Sequence, residues 1–228
     1  MSRGPRRQAP AYLRLQRGRL PAGQEVRSDG QYGLGESGDG LGHGDAARLR
    51  ERDTTMAIQA KYLDMPLDIN DLDVENLAYF KHCAAHDFHL QKCGACGLLR
   101  YPPTTACPWC ASPKSEWVPV EGRGAVHSYT EVHHAIQPAF KAHTPYLILL
   151  VDLDTQKGQP SEHEALRVVG NLATPDGTLA PPEMVRRVGI GTRVRMVFAD
   201  AGPGLALPQW TIDEAAFHPP MPWRYPQE

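Results

Sequence analysis

The sequence predicts a mainly β protein: an N-terminal helix and a small metal-binding ribbon, followed by a five-stranded barrel. Three observations carry that expectation. Four of the five cysteines fall in two close pairs, Cys93-Gly94-Ala95-Cys96 and Cys107-Pro108-Trp109-Cys110, which read as C-x2-C-x10-C-x2-C. An exit strand at Glu116–Val120 and then five further strand-like runs follow the second pair. Helix-start chemistry shows in one stretch before the cysteines and in one short stretch among the strands.

Residues 1–56 differ from the rest. Arg3, Arg6, Arg7, Arg14, Arg17 and Arg19 are scattered through the first part, and a glycine-rich run from Gly33 to Gly44 follows. No sustained apolar period runs through them. Such a segment cannot bury enough surface to offset its ordering entropy, so it reads as a disordered tail. A translated upstream stretch before a true start at Met56 has the same signature.

Order is expected from Ala57. Leu63 to Leu67 reads as an extended lead-in to a helical segment spanning 57–87. Asn70 or Asp71 is positioned to cap a helix that carries Val74, Leu77, Ala78 and Phe80, with acidic residues near its positive end. That helix is expected to end near His86-Asp87. Phe88 to Cys93 alternates and reads as a strand entering the first cysteine pair.

The ribbon is expected over 88–120. Two knuckles of this spacing offer four thiolates to one tetrahedral ion. Zn2+ accepts four sulfurs at about 2.3 Å, and a closed all-cysteine set leaves no open position for substrate. The expected structural zinc ligands are therefore Cys93, Cys96, Cys107 and Cys110, against a fortuitous thiol cluster or disulfides. Gly94 and Gly97 suit the tight turns of the first knuckle. His82, His86 and His89 lie just upstream, but four cysteines already complete the site, so these read as exposed. The fifth cysteine, Cys83, reads as a small buried hydrophobe.

The barrel is expected over 121–218. Gly122-Arg123-Gly124 breaks the chain. Strands then read at Ala125–Val132, Tyr146–Leu153, Ala165–Leu172, Gly191–Phe198 and Leu207–Ile212. Pro181-Pro182-Glu183-Met184-Val185 opens a short helix with proline at its start. Five strands with a helix between the third and fourth fit a small OB-fold. A proline-rich tail over 219–228 is expected to wrap the surface.

Function follows partly by exclusion. With a formal net charge of −2 and aromatic content of 7%, the chain lacks the basic, aromatic-lined groove of a single-strand nucleic-acid binder. That class stays as the rival reading, because ribbons and OB-folds both serve it. No nucleophile elbow, phosphate loop or dinucleotide fingerprint is present. His127, His133, His134 and His143 group around the first barrel strand. As general bases they need a carboxylate, and Glu131 is the near one in sequence. Free thiols, no membrane-length apolar run and no signal-peptide core make a cytoplasmic setting the expectation.

From about Asp73 to Phe217 the chain resembles the DUF35 family, in which a rubredoxin-like zinc ribbon is joined to an OB-fold. The resemblance is carried by Tyr79-Phe80, Cys93 to Gly97, Tyr101-Pro102-Pro103, Cys107 to Cys110, Ser112 and Glu116-Trp117. It continues through Gly122-Arg123-Gly124, Ser128-Tyr129-Thr130, Pro145-Tyr146, Gly191 with Val194, and Leu207-Pro208. The sequence departs at Asp154 to Glu164, a polar connection longer than the glycine-centred turn expected there.

The resemblance implies a non-catalytic subunit in a hetero-oligomer with a thiolase-like protein: a thiolase, an acyltransferase or a steroid side-chain aldolase. It also implies that the barrel holds part of an acyl-CoA. Phosphates want arginine or lysine, and Arg167, Arg186, Arg187, Arg193 and Arg195 are available. Arg193 and Arg195 share one strand face. Phe140 and Tyr146, with Trp210, are the candidate lining for an acyl chain, although aromatics in a small barrel usually serve its core. The expected acyl-CoA contacts are Arg193, Arg195, Phe140 and Tyr146.

Overall fold

The computed structural model describes residues 57–70 and 72–225, so the expectations placed on residues 1–56 and on Asp71 lie outside it. Among the described residues, ten strands make three antiparallel sheets, accompanied by two α-helices. Among the described residues no helix is long and apolar enough to cross a membrane.

The stretch expected to be a plain lead-in is instead a β-hairpin, β1 (Ile58–Tyr62) paired with β2 (Met65–Ile69). Its turn is Leu63-Asp64, with φ of 50° and 62°. Both residues sit in the left-handed region that two-residue hairpin turns require. Neither is glycine, so the usual sequence signal for the turn is missing. The hairpin packs Tyr62, Ala60, Leu63 and Leu67 against Ala199, Ala201 and Leu205.

Helix α1 (Val74–Ala84) is capped by Asp73, not by Asn70 or Asp71. The Asp73 carboxylate accepts from the Asn76 backbone N–H at 3.1 Å. Asn70 makes its own turn instead, its side-chain oxygen accepting from the Leu72 N–H at 2.8 Å. The helix ends before the expected point because His86 turns left-handed, at φ 54°.

The ribbon sheet runs in the order β4-β3-β5: β3 (His89–Cys93), β4 (Leu99–Arg100) and β5 (Ser115–Pro119). The barrel strands are β6 (Arg123–Val132), β7 (Tyr146–Leu153), β8 (Arg167–Asn171), β9 (Arg193–Gly202) and β10 (Leu205–Ile212). Their order is β10-β9-β6-β7-β8. A parallel bridge between Leu172 and Trp210 joins β8 to β10 and closes the ring. Helix α2 (Pro182–Val185) lies between the third and fourth barrel strands. This is the five-stranded OB barrel.

Along β7 the alternation is complete: Leu147, Leu149, Val151 and Leu153 are all at 0% exposure, and the residues between them are half-buried. Trp210 is also fully buried. It fits because residue 170 is glycine, where a Cβ would stand 2.9 Å from the indole. One apolar cluster runs without a break from α1 (Tyr79, Cys83) through the ribbon (Leu90, Leu99) into the barrel (Val126, Val168, Val194, Trp210). At ~25 cal/mol per Å2 of apolar surface removed from water, that shared interior is the main force holding ribbon to barrel.

Gly124 lies where β6 passes close against β7, opposite Leu153. A Cβ there would sit 2.2 Å from the Asp152 carbonyl oxygen. Gly124→Ala is therefore expected to force the strands apart and cost about 1–3 kcal/mol or more. Urea unfolding checks this: the midpoint falls while the slope stays the same.

Candidate metal centre

The two knuckles have the same backbone plan. In the first, the Gly97 N–H donates to the Cys93 carbonyl at 3.0 Å and Gly97 turns left-handed, at φ 76°. In the second, the Ala111 N–H donates to the Cys107 carbonyl at 2.8 Å, and Ala111 takes the same conformation at φ 59°. Gly94, expected to serve a turn, is not left-handed; its N–H ties to the Lys114 carbonyl at 3.0 Å.

These turns bring together Cys93, Cys96, Cys107 and Cys110, whose sulfurs all lie within 4.8 Å of one another. Cys93 and Cys110 are 3.6 Å apart, as are Cys96 and Cys107. Four sulfurs about 2.3 Å from a central ion form a tetrahedron with edges of about 3.8 Å. The set therefore fits a tetrahedral metal. Cys93 and Cys107 are buried, whereas Cys96 and Cys110 reach the surface.

The thiols are electrostatically unequal. Backbone N–H groups of Cys96 and Ala95 point at the Cys93 sulfur and hold its thiol down at about 6. At Cys96 the Leu98 N–H favours the thiolate, but desolvation and the neighbouring thiols outweigh it and push the group up to about 12. Four negative sulfurs at this range repel one another, so full ionisation needs a cation among them. Cys83 stands apart: burial, partly offset by the Tyr79 hydroxyl, pushes its thiol up to about 12. Fully enclosed, it is chemically inert.

Two glutamines that sequence reasoning passed over fasten the ribbon. Gln156 comes from the polar connection after β7, where the chain departs from the expected short turn. Its side chain accepts from the Leu99 N–H at 2.6 Å and donates to the Leu99 carbonyl at 3.2 Å. Both groups of Leu99 are thus paired with the barrel's own loop. Gln91 accepts from the Arg100 Nε and from the Thr104 N–H, each at 2.9 Å. The one signal available was position: Gln91 lies two residues before Cys93, on the inward face of β3.

Of the histidines upstream, His86 is exposed as expected, whereas His82 and His89 are half-buried. His82 stacks on His89 with ring centres 4.1 Å apart, beside Trp117. His86 contacts the Asp200 carboxylate at 2.7 Å and stacks on Phe198. In the barrel, His127 sits at a bulge in β6. Its Nδ1 lies 3.1 Å from Asp152, a carboxylate on the neighbouring strand that sequence proximity could not supply. Glu131 instead holds Arg224 at 2.5 Å, with His133 at 3.4 Å.

The expected acyl-CoA contacts do not converge. Arg193 pairs with Ala125 near the start of β6, whereas Tyr146 pairs with Val132 at its end. Seven residues of strand, about 23 Å, separate those levels. Phe140 and Tyr146 do meet, with ring centres 5.2 Å apart, and Tyr62 joins them. Trp210 is core. Arg193 is held by both oxygens of Asp154. Arg123, Arg167, Arg187 and Arg224 are likewise ion-paired among the described residues.

A four-thiol ribbon fused to a closed five-stranded barrel defines an OB-fold protein with a cysteine ribbon. A family profile described as "ChsH2, C-terminal OB-fold domain" matches residues 117–199. A chain of the solved "Ltp2-ChsH2(DUF35) aldolase" is 30% identical over 63% of this chain and 98% of its own length, with a TM-score of 0.49. This chain belongs to the DUF35 family. Two curated relatives are each 34% identical. One is the "Probable enoyl-CoA hydratase alpha subunit" of Thermomonospora curvata, aligned over 59% of this chain and 36% of its own length. The other is the "3-oxo-4,17-pregnadiene-20-carboxyl-CoA hydratase alpha subunit" of Mycobacterium tuberculosis, aligned over 57% of this chain and 35% of its own length. The chain thus spans about a third of the length of the curated relatives it matches.

Hydrogen bonding to Arg193 holds the Asp154 carboxyl below its ordinary value of 3.8. A depressed folded-state pKa gives stability that is fully present above 3.8 and is lost as pH falls through the lower, folded value. Asp154→Asn is expected to remove that part of the acid dependence. Thermal melts between pH 5 and pH 2 check this: the wild-type curve falls more steeply than the variant's at the acid end.

Proposed function

We propose that this chain is a non-catalytic accessory subunit of an acyl-CoA-processing enzyme, with zinc as the structural ion of its ribbon and a thiolase-like protein as its partner. The observation that carries this reading is the 30% identity over nearly the whole DUF35 chain of the Ltp2-ChsH2 aldolase. The hydratase alpha subunits, matched over about a third of their length, support the same acyl-CoA setting. The cysteine geometry supports the choice of ion. Zinc prefers tetrahedral thiolate sets, and a four-cysteine site leaves it no open position for catalysis. Its role is to fold the ribbon, a contribution on the order of 10 kcal/mol in comparable sites. The ribbon and barrel then act as a rigid body that the partner binds.

The test is purification of the untagged chain from its own cells, with partner identification by mass spectrometry and metal analysis. The expected result is one zinc per chain, a stoichiometric thiolase-like partner, and acyl-CoA turnover by the complex but not by the isolated chain. Turnover by the isolated chain, or a chain that purifies without a partner, overturns the subunit reading. Cys107→Ser is expected to lose both zinc and partner. Loss of zinc with the partner retained overturns the structural role given to the ion.

A further inference from the structure

Arg100 is a buried cation without a counter-charge among the described residues. It is only 2% exposed. Its Nε donates to Gln91 at 2.9 Å, but one terminal nitrogen has no hydrogen-bond partner. Among the described residues no carboxylate lies within ion-pair distance of it. Arginine does not deprotonate to escape such a site. A buried, unpaired charge is among the costliest things a fold can hold.

Its position explains the retention. Arg100 pairs with Gln91 across β4 and β3, so the two side chains share one face of the ribbon sheet. Cys93, two residues along β3, points to that same face. A diagonal cross-strand pair of this kind is separated by about 7–8 Å. Gln91 holds the guanidinium there, and through the Thr104 N–H it also holds the loop that leads to Cys107. Four thiolates around a divalent ion carry a net charge of −2, which the knuckle N–H groups offset only in part. The half-buried thiolate set and the buried cation thus meet along the face that carries Cys93, and no carboxylate among the described residues takes the cation's place there.

We propose that Arg100 is the charge-compensating residue of the four-cysteine centre: its fixed positive charge stabilises the loaded, fully ionised thiolate set and so sets how tightly the ribbon keeps its metal. This rests on the reading of the centre as a zinc site. Arg100 acts through space and through Gln91, so it is a positioning and charge residue and not a ligand. Lys92 is cationic too, but it is exposed and points to the other face of β3, where water screens it.

The experiment is zinc transfer from the intact, zinc-loaded chain to a chromogenic chelator at fixed pH, with melting temperature measured in parallel. Arg100→Met is expected to weaken zinc retention by roughly 10- to 100-fold, the range seen when groups surrounding metal ligands are removed. Arg100→Lys keeps the charge and is expected to stay within about 3-fold of wild type, as is Lys92→Met, whose charge is screened. Arg100→Gln repeats the neutral comparison if the methionine variant does not fold. Two results overturn the proposal while leaving the zinc site intact. One is a neutral variant that keeps zinc like wild type and melts higher, the behaviour of a merely uncompensated charge relieved. The other is a lysine variant that loses zinc as readily as the neutral ones. A wild-type chain that holds no metal overturns the zinc reading and this one with it.

Discussion

Four sulfurs held within 4.8 Å of one another are the condition on which the rest of this chain is arranged. The strands they join are short, two residues in β4 and five each in β3 and β5. A sheet that small cannot bury enough apolar surface to fix itself. The knuckles supply what the strands lack. Gly97 and Ala111 take the same left-handed turn, and the N–H groups released there point at sulfur. Convergence of the thiols, ionisation of the thiols and order in the ribbon are three aspects of one event.

The ribbon does not stand alone. Leu90 and Leu99 enter the same interior as Val126 and Trp210. Gln156 reaches from the barrel's loop to pair with both backbone groups of Leu99. Such a bidentate side-chain contact replaces a missing strand partner, which is why β4 can be only two residues long. The polar connection after β7 is the piece that supplies it. Helix α1 completes the joint, with Tyr79 and Cys83 in the shared interior and His86 tied to Asp200 on β9.

Much of this was legible in the residues. Strand alternation and the paired cysteines specify the order of elements, because side-chain period and metal-ligand spacing are local properties. The five barrel strands and the short helix at Pro182 fall where their patterns place them. What local pattern could not carry was chemistry between distant residues. Asp152 facing His127, and Gln156 facing Leu99, are pairings across strands and loops. The hairpin at Leu63-Asp64 was hidden because its turn uses residues that rarely adopt positive φ. Arg193 and Arg195 do share a strand, but a common face says nothing about distance to Phe140 and Tyr146. That distance is set by register along β6.

The ring of barrel strands is not equally firm all the way round. Long ladders join β10 to β9, β6 to β7 and β7 to β8, and a ladder of three pairs joins β6 to β9. At β8 and β10 the join is one bridge at Leu172 and Trp210, helped by the Gln209 side chain reaching the Asn171 N–H at 2.6 Å. A cylinder with one lightly stitched side yields there first under thermal agitation. Transient opening is thereby steered to the flank where Gly170 faces the indole.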